Sequence, residues 1–280
     1  GGIMWANDNI AIVADSWYDT RNTKAYLFNP SNLAIAPKII EDRNSQDIYS
    51  DPGNFEMKKN EFGRYVIAIE NNKGYLIGAG NTKDGQFPFI DEYDFSTLKK
   101  TRLYTSNMKD KKEDLMSIED FKKGEVLVMI QSKNEYPNYY FRNIKSKNKL
   151  TPITTFKNPF ESIKNVHKEV IKYKRKDGVE LSGTLYLPVG YDKTKKEKLP
   201  LLIWAYPAEY KDKNSAGQSD KNHRKRRAGG EDTLRQPDGP EYSYGQRAGG
   251  AGEDNIPHLI QGGFQKRADR RGHKSDQAAA

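Results

Sequence analysis

Residues 169–218 constrain the fold more than any other stretch of this chain. Two strand-like runs flank Lys176-Asp177-Gly178. Asp-Gly between strands is a strong hairpin signal, because both residues tolerate the positive φ of a tight turn. After the turn Val179, Leu181, Leu185 and Leu187 fall on one face at period two, with Glu180, Ser182, Thr184 and Tyr186 on the other. Leu199-Pro200-Leu201-Leu202-Ile203-Trp204-Ala205 then forms an almost unbroken apolar run. That pattern predicts a strand buried on both faces of a sheet.

Residues 1 to about 160 read as short strands broken by turns. Ile10–Ala14 and Ala25–Phe28 make one group. Tyr65–Ile69, Tyr75–Gly78 and Phe89–Asp94 make a second, and Val126–Ile130, Tyr139–Ile144 and Ile153–Phe156 a third. Strand groups recurring at intervals of tens of residues point to propeller blades, with a β-sandwich as the alternative. Between the second and third groups Lys109–Lys123 is charged. Its Leu115, Met116, Ile118 and Phe121 are spaced for a turn or two of helix, so a short helix or a connecting loop is expected. Phe160–Lys168 reads as the crossing into the next domain.

Composition shifts sharply near Gln218. Before it arginine is scarce; after it come Arg224, Arg226, Arg227, Arg235, Arg247, Arg267, Arg270 and Arg271, with the pairs Gly229-Gly230, Gly249-Gly250 and Gly262-Gly263. Apolar residues there are few and aperiodic, too few to offset the entropy of ordering the segment. A disordered tail is expected. So abrupt a shift is what out-of-frame translation or a chimeric join produces, with a native linker or basic tail as the alternative.

The remaining composition mostly excludes. The chain has 280 residues, is 35% hydrophobic and carries a formal net charge of +9. The positive surplus reads first as lysine on solvated loops. With no cysteine there is no disulfide, thiolate nucleophile or Cys-based metal site. No apolar run approaches the ~18–20 residues that span a bilayer. Gly1-Gly2-Ile3-Met4-Trp5 shows no signal-peptide pattern. No His or carboxylate cluster has metal-ligand spacing, and no cofactor is expected.

The motifs resemble the prolyl oligopeptidase family of serine peptidases, in its glutamyl endopeptidase branch. The most specific piece is Leu199–Pro207, followed by Glu209-Tyr210-Lys211 and Ser215-Ala216-Gly217-Gln218. Ile3-Met4-Trp5, Trp17-Tyr18-Asp19-Thr20-Arg21 and Ser50-Asp51-Pro52-Gly53 support it. In that family a propeller precedes a C-terminal α/β-hydrolase domain and restricts which peptides reach the site. The resemblance implies a mostly β chain: a partial β-propeller, the truncated start of an α/β-hydrolase domain and a disordered tail. The implied domains are residues 1–165 (the last blades of a propeller), 166–218 (the first strands of the peptidase domain) and 219–280 (a disordered, out-of-frame tail).

By the same resemblance Tyr206 donates a hydrogen bond to the oxyanion of the tetrahedral intermediate. The second donor in such hydrolases is the backbone N–H after the nucleophile. One such donor is worth about 2.7–4 kcal/mol of barrier. Read without the family, Tyr206 is a tyrosine at the end of a buried strand with its hydroxyl in water. The nucleophile, acid and histidine of a triad are not found. Ser243 imitates a nucleophile elbow in Glu241-Tyr242-Ser243-Tyr244-Gly245, and Asp254, His258, Asp269 and His273 follow it. However, Glu241 stands where the tight turn wants a small residue, and Arg235–Pro240 cannot be a central strand. His167 reads as a solvent or interdomain histidine with no partner nearby. His223-Arg224-Lys225-Arg226-Arg227 resembles a nuclear-localisation or nucleic-acid patch, but no aromatics interleave with it for base stacking.

These features predict a serine-type peptidase by resemblance, glutamyl endopeptidase-like, in a chain inactive for want of its triad. The alternative is a non-catalytic propeller module that binds peptides or proteins. Expected partners are a peptide or protein substrate, with no specific nucleic acid and no membrane span. The expected location is soluble, in cytoplasm or periplasm.

Overall fold

The computed structural model describes residues 2–132, 134–163, 165–174, 176, 178, 180–205, 210, 211, 215 and 259–262. Among these there is no α-helix; the chain is built from short strands, with 3-10 turns at Glu161–Ile163 and Lys193–Lys195.

Three four-stranded antiparallel sheets follow one another along the chain. The first is a simple meander of β1 (Gly2–Asn7), β2 (Ile10–Ser16), β3 (Asn22–Phe28) and β4 (Lys38–Asn44). The second begins with β5 (Asn54–Phe55). A hairpin of β6 (Met57–Lys59) and β7 (Tyr65–Ile67) comes before its next strand, β8 (Lys73–Gly78). A smaller hairpin, β9 (Asn81–Thr82) with β10 (Gly85–Gln86), precedes β11 (Phe89–Asp94) and β12 (Lys99–Thr105), and the sheet order is β12-β11-β8-β5. The third is β13 (Lys112–Asp120), β14 (Glu125–Gln131), β15 (Asn138–Asn143) and β16 (Lys149–Pro152), again in chain order.

The sheets stack face to face, and the period of two in each strand decides which residue meets which neighbour. Leu76, Tyr93 and Phe95 join Ile10, Ile12 and Ala25 of the first sheet in one core. Ile90 and Tyr104 join Ile118, Val126, Val128 and Ile130 of the third sheet in another. Both faces of the second sheet are therefore buried, as in consecutive propeller blades. Aromatic pairs add to both cores. Phe55 lies 5.6 Å from Tyr93 and from Phe95, and Tyr75 stacks on Phe121 at 4.3 Å. Such pairs contribute about 0.5–1.5 kcal/mol each beyond area burial. Burial pushes the Tyr93 phenol up to about 12. Gly80 needs its lack of a side chain: its φ is +62°, and a Cβ would sit 1.9 Å from the Phe87 carbonyl oxygen.

The strand β13 replaces the helix or loop expected over 109–123. Register shifts between Leu115 and Ser117, and between Ile118 and Asp120, insert bulges. Each bulge breaks the alternation, and the remaining apolar spacing imitates a helix. The strand expected at Ile153–Phe156 lies earlier, at Lys149–Pro152, although the Ile153 N–H still donates to Tyr139 O at 2.9 Å.

A buried polar network ties the second and third sheets. Arg142 Nε donates to Glu113 Oε1 at 2.6 Å, and Tyr104 Oη donates to Glu113 Oε2 at 2.7 Å. Arg142 also donates to Asn148 O at 2.9 Å. Burial, then the neighbouring Glu113, pushes the Tyr104 phenol up.

Past the third sheet, Glu161–Ile163 leads into a fourth, of order β17-β18-β20-β19. Its members are β17 (His167–Lys174), β18 (Glu180–Leu187), β19 (Leu202–Ala205) and β20 (Leu259–Gly262). The first two form the hairpin expected around Asp177-Gly178. Tyr186 and Leu187 are both buried, so both faces of β18 are covered at that end. Four residues of the tail enter as β20, antiparallel to β18 and parallel to β19. A short run containing leucine and isoleucine there satisfies backbone groups along both neighbours. The rest of 219–280 lies outside the described residues.

The expectation that 199–205 is buried on both faces is not met. Leu201, Leu202 and Ile203 are exposed, because β19 is an edge strand with no described element over its faces. Likewise Ile3 and Trp5 are exposed on the face of β1 opposite the packed Met4 and Ala6.

Removing one partner of a buried ion pair strands the other charge, at a cost of about 3–5 kcal/mol. Arg142→Ala is therefore expected to lower unfolding stability by about that much, and Tyr104→Phe by only about 1 kcal/mol. Chemical denaturation of both variants checks this ordering; equal losses would contradict it.

Candidate functional site

Two places can carry chemistry, and they lie in different sheets. The first is the C-terminal end of β19. In open sheets with parallel strands, ligands bind beyond the carboxyl ends. The strand ends at Ala205, beside Gly262 of its parallel neighbour β20. Tyr206, the residue assigned to the oxyanion, is next in sequence and lies outside the described residues. Ser243, Asp254, His258, Asp269, His273 and the basic run 223–227 also lie outside them.

Lys211 lies against the first sheet. Lys211 N donates to Gln46 Oε1 at 2.9 Å, across 165 positions of sequence. Its ammonium lies 5.3 Å from the Tyr18 ring centre, and the Arg21 guanidinium lies 3.9 Å from the same centre. Ser215 is buried. Nothing in the sequence alone signals this contact, since its partners are ordinary loop residues.

His167 has a partner after all. Its Nε2 is 3.0 Å from Glu169 Oε2, and Lys193 Nζ is 2.6 Å from Glu169 Oε1. Alternation along β17 places His167 and Glu169 on one face. The hydrogen bonds from Lys193 and then His167 hold the Glu169 carboxyl below its ordinary range. The cluster is exposed, with one carboxylate shared by an ammonium and an imidazole.

The second place is a recess of about 350 Å³ between the second and third sheets. Asn54, Phe55, Glu56, Gln86, Asp114 and Met116 are among its lining residues. Burial pushes the Glu56 carboxyl up to about 7; the Ile118 backbone hydrogen bond opposes the shift and the charge of Glu119 adds to it. Near neutrality Glu56 is thus an acid that can give up or take a proton. Periodicity could not have found it, because its environment is made by two sheets distant in sequence.

Among the described residues, no group of three or more His, Cys, Asp or Glu could hold a metal ion. No helix among them is long and apolar enough to cross a membrane.

Comparison with known proteins brings in the family. No family model matches the chain. Over 235 aligned residues, 78% of this chain, it is 39% identical to a probable chloroplastic glutamyl endopeptidase of Arabidopsis thaliana. It is 38% identical over 233 residues to the protein of the same description in Oryza sativa subsp. japonica. Among solved structures, Porphyromonas gingivalis dipeptidyl peptidase 4 overlaps 91% of this chain and 36% of its own, with TM-score 0.46 and 13% identity. Oligopeptidase B from Trypanosoma brucei overlaps 74% and 34%, with TM-score 0.43 and 10% identity. The chain is thus a member of the prolyl oligopeptidase family of serine peptidases. Within that family it stands in the glutamyl endopeptidase branch, spanning 24% of the length of the two plant relatives. Their description as chloroplastic names a compartment other than the cytoplasm or periplasm expected from this sequence.

The recess yields a prediction. A carboxyl whose folded-state pKa exceeds its unfolded value binds its proton more tightly in the native state. Its contribution is full below about 4.5 and is lost as pH rises through about 7. Because Glu56 is only partly buried, the loss amounts to roughly 1–2 kcal/mol after solvent screening. Denaturant unfolding between pH 5 and 8 should show that decline in wild type and not in Glu56→Gln. An identical pH profile in the two proteins would contradict it.

Proposed function

We propose that this chain is the junction between propeller and catalytic domain of a glutamyl-type serine peptidase, and that by itself it hydrolyses no peptide. The observation that carries this reading is the order of the sheets. Three stacked four-stranded blades lead through Glu161–Ile163 into a hairpin and then β19, which ends immediately before Tyr206. In the intact peptidase Tyr206 donates to the oxyanion. A serine acylated by the peptide, and then deacylated by water, completes the reaction. The three residues that do this are not in the chain. The domains are 1–165, 166–218 and 219–280, the last translated out of frame. The substrate is a peptide cleaved after glutamate, in keeping with the description of the plant relatives.

A second reading, a propeller module that binds peptides without cleaving them, draws on the recess lined by Glu56, Asp114 and Asn54 between two blades.

The test is to treat the purified chain with a fluorescent fluorophosphonate and with a peptide carrying an internal glutamate. The expected result is neither labelling nor cleavage. Labelling that disappears in Ser243→Ala would overturn the reading and make Ser243 the nucleophile. Saturable peptide binding that Glu56→Gln abolishes would favour the second reading.

A further inference from the structure

The return of the chain after β19 onto the first blade has no counterpart in what the family reading requires of either part. Two loops of the first sheet form the surface. One is the β2–β3 connection, where Trp17, Tyr18 and Arg21 stand. The other is the turn after β4, where Arg43 binds three groups: Nε donates to Glu41 Oε1 at 2.6 Å, and Nη1 to Asn44 O and to Asp47 O, each at 3.2 Å. These bonds fix the backbone on both sides of Gln46. The two loops are also tied to each other, since the Ser45 N–H and the Ser45 hydroxyl both donate to Arg21 O, at 2.7 and 2.9 Å. A rigid pair of loops thus presents one amide oxygen and one aromatic ring side by side.

We propose that this surface is a dock for the chain's own Lys211, gripping its backbone and its side chain together. Two independent contacts on Lys211 carry the inference. Its backbone N–H is taken by Gln46 Oε1, and its ammonium lies within cation–π range of Tyr18. A backbone donor held by a side chain 165 positions away fixes the path of the main chain as well as the side chain. Ser215, four residues on, is buried at 3% exposure. The dock joins the first blade directly to the strand end that opens the peptidase part, bypassing the second and third blades. It couples the two parts at two points, the Glu161–Ile163 crossing and Lys211. This inference is independent of whether the chain hydrolyses peptides.

Hydrogen exchange on the full chain tests it. In wild type, the amides of Lys211 and Ser215 should exchange more slowly than in a free peptide spanning them. Gln46→Ala and Tyr18→Ala should each speed their exchange about tenfold, the change expected for losing roughly 1.4 kcal/mol of closed-state stability. Tyr18→Phe keeps the ring and should exchange as wild type does. Amides of β14 should keep their wild-type rates in every variant, which shows that the blades remain folded. Free-peptide rates at Lys211 and Ser215 in wild type would overturn the dock. So would wild-type rates in both alanine variants, or loss of protection in Tyr18→Phe equal to that in Tyr18→Ala.

Discussion

The structure depends on one constraint: the second sheet must be covered on both faces. Its strands are too short and too mixed in character to stand alone, and three-stranded or larger sheets gain stability only by burying a face. Here Leu76 and Tyr93 turn to the first sheet while Ile90 and Tyr104 turn to the third. The Glu113–Arg142–Tyr104 network then fixes the registry of the second seam, because a buried carboxylate tolerates few arrangements of its donors. The outer sheets inherit their positions from this central one. The far side of the first carries exposed apolar side chains, Ile3 and Trp5.

The peptidase part inherits its position in turn. It leaves the third sheet at a single 3-10 turn, and Lys211 brings it back to the first. Strand β19 looks unfinished. An apolar strand with Leu202 and Ile203 in solvent is stable only when further structure covers it, and no described element does so.

Much of this was legible in the sequence, for physical reasons. The hairpin at Asp177-Gly178 and the apolar strands β2, β8, β11 and β14 stand out because alternation and turn chemistry are local. The family was legible from Leu199–Pro207, and the plant relatives bear it out. Strand β13 was not legible, since its two bulges disguise the period of two. Strand β16 was not, because Lys149 and Thr151 give it little apolar character. The raised Glu56 and the Gln46–Lys211 contact arise only when segments far apart in sequence meet. The His167–Glu169 pair is legible from a two-residue rule, since alternation puts i and i+2 of a strand on one face.

We propose that the catalytic sequence of the intact peptidase lies in another reading frame of the DNA beyond Gln218. Sequencing the coding DNA across that position and translating all three frames tests it directly. The account expects a second frame to continue the sheet after Gln218 and to encode Gly-x-Ser-x-Gly, followed by an acid and a histidine. Confirmation of the present frame, with no such sequence in either of the others, would contradict it and leave the peptide-binding propeller as the better description.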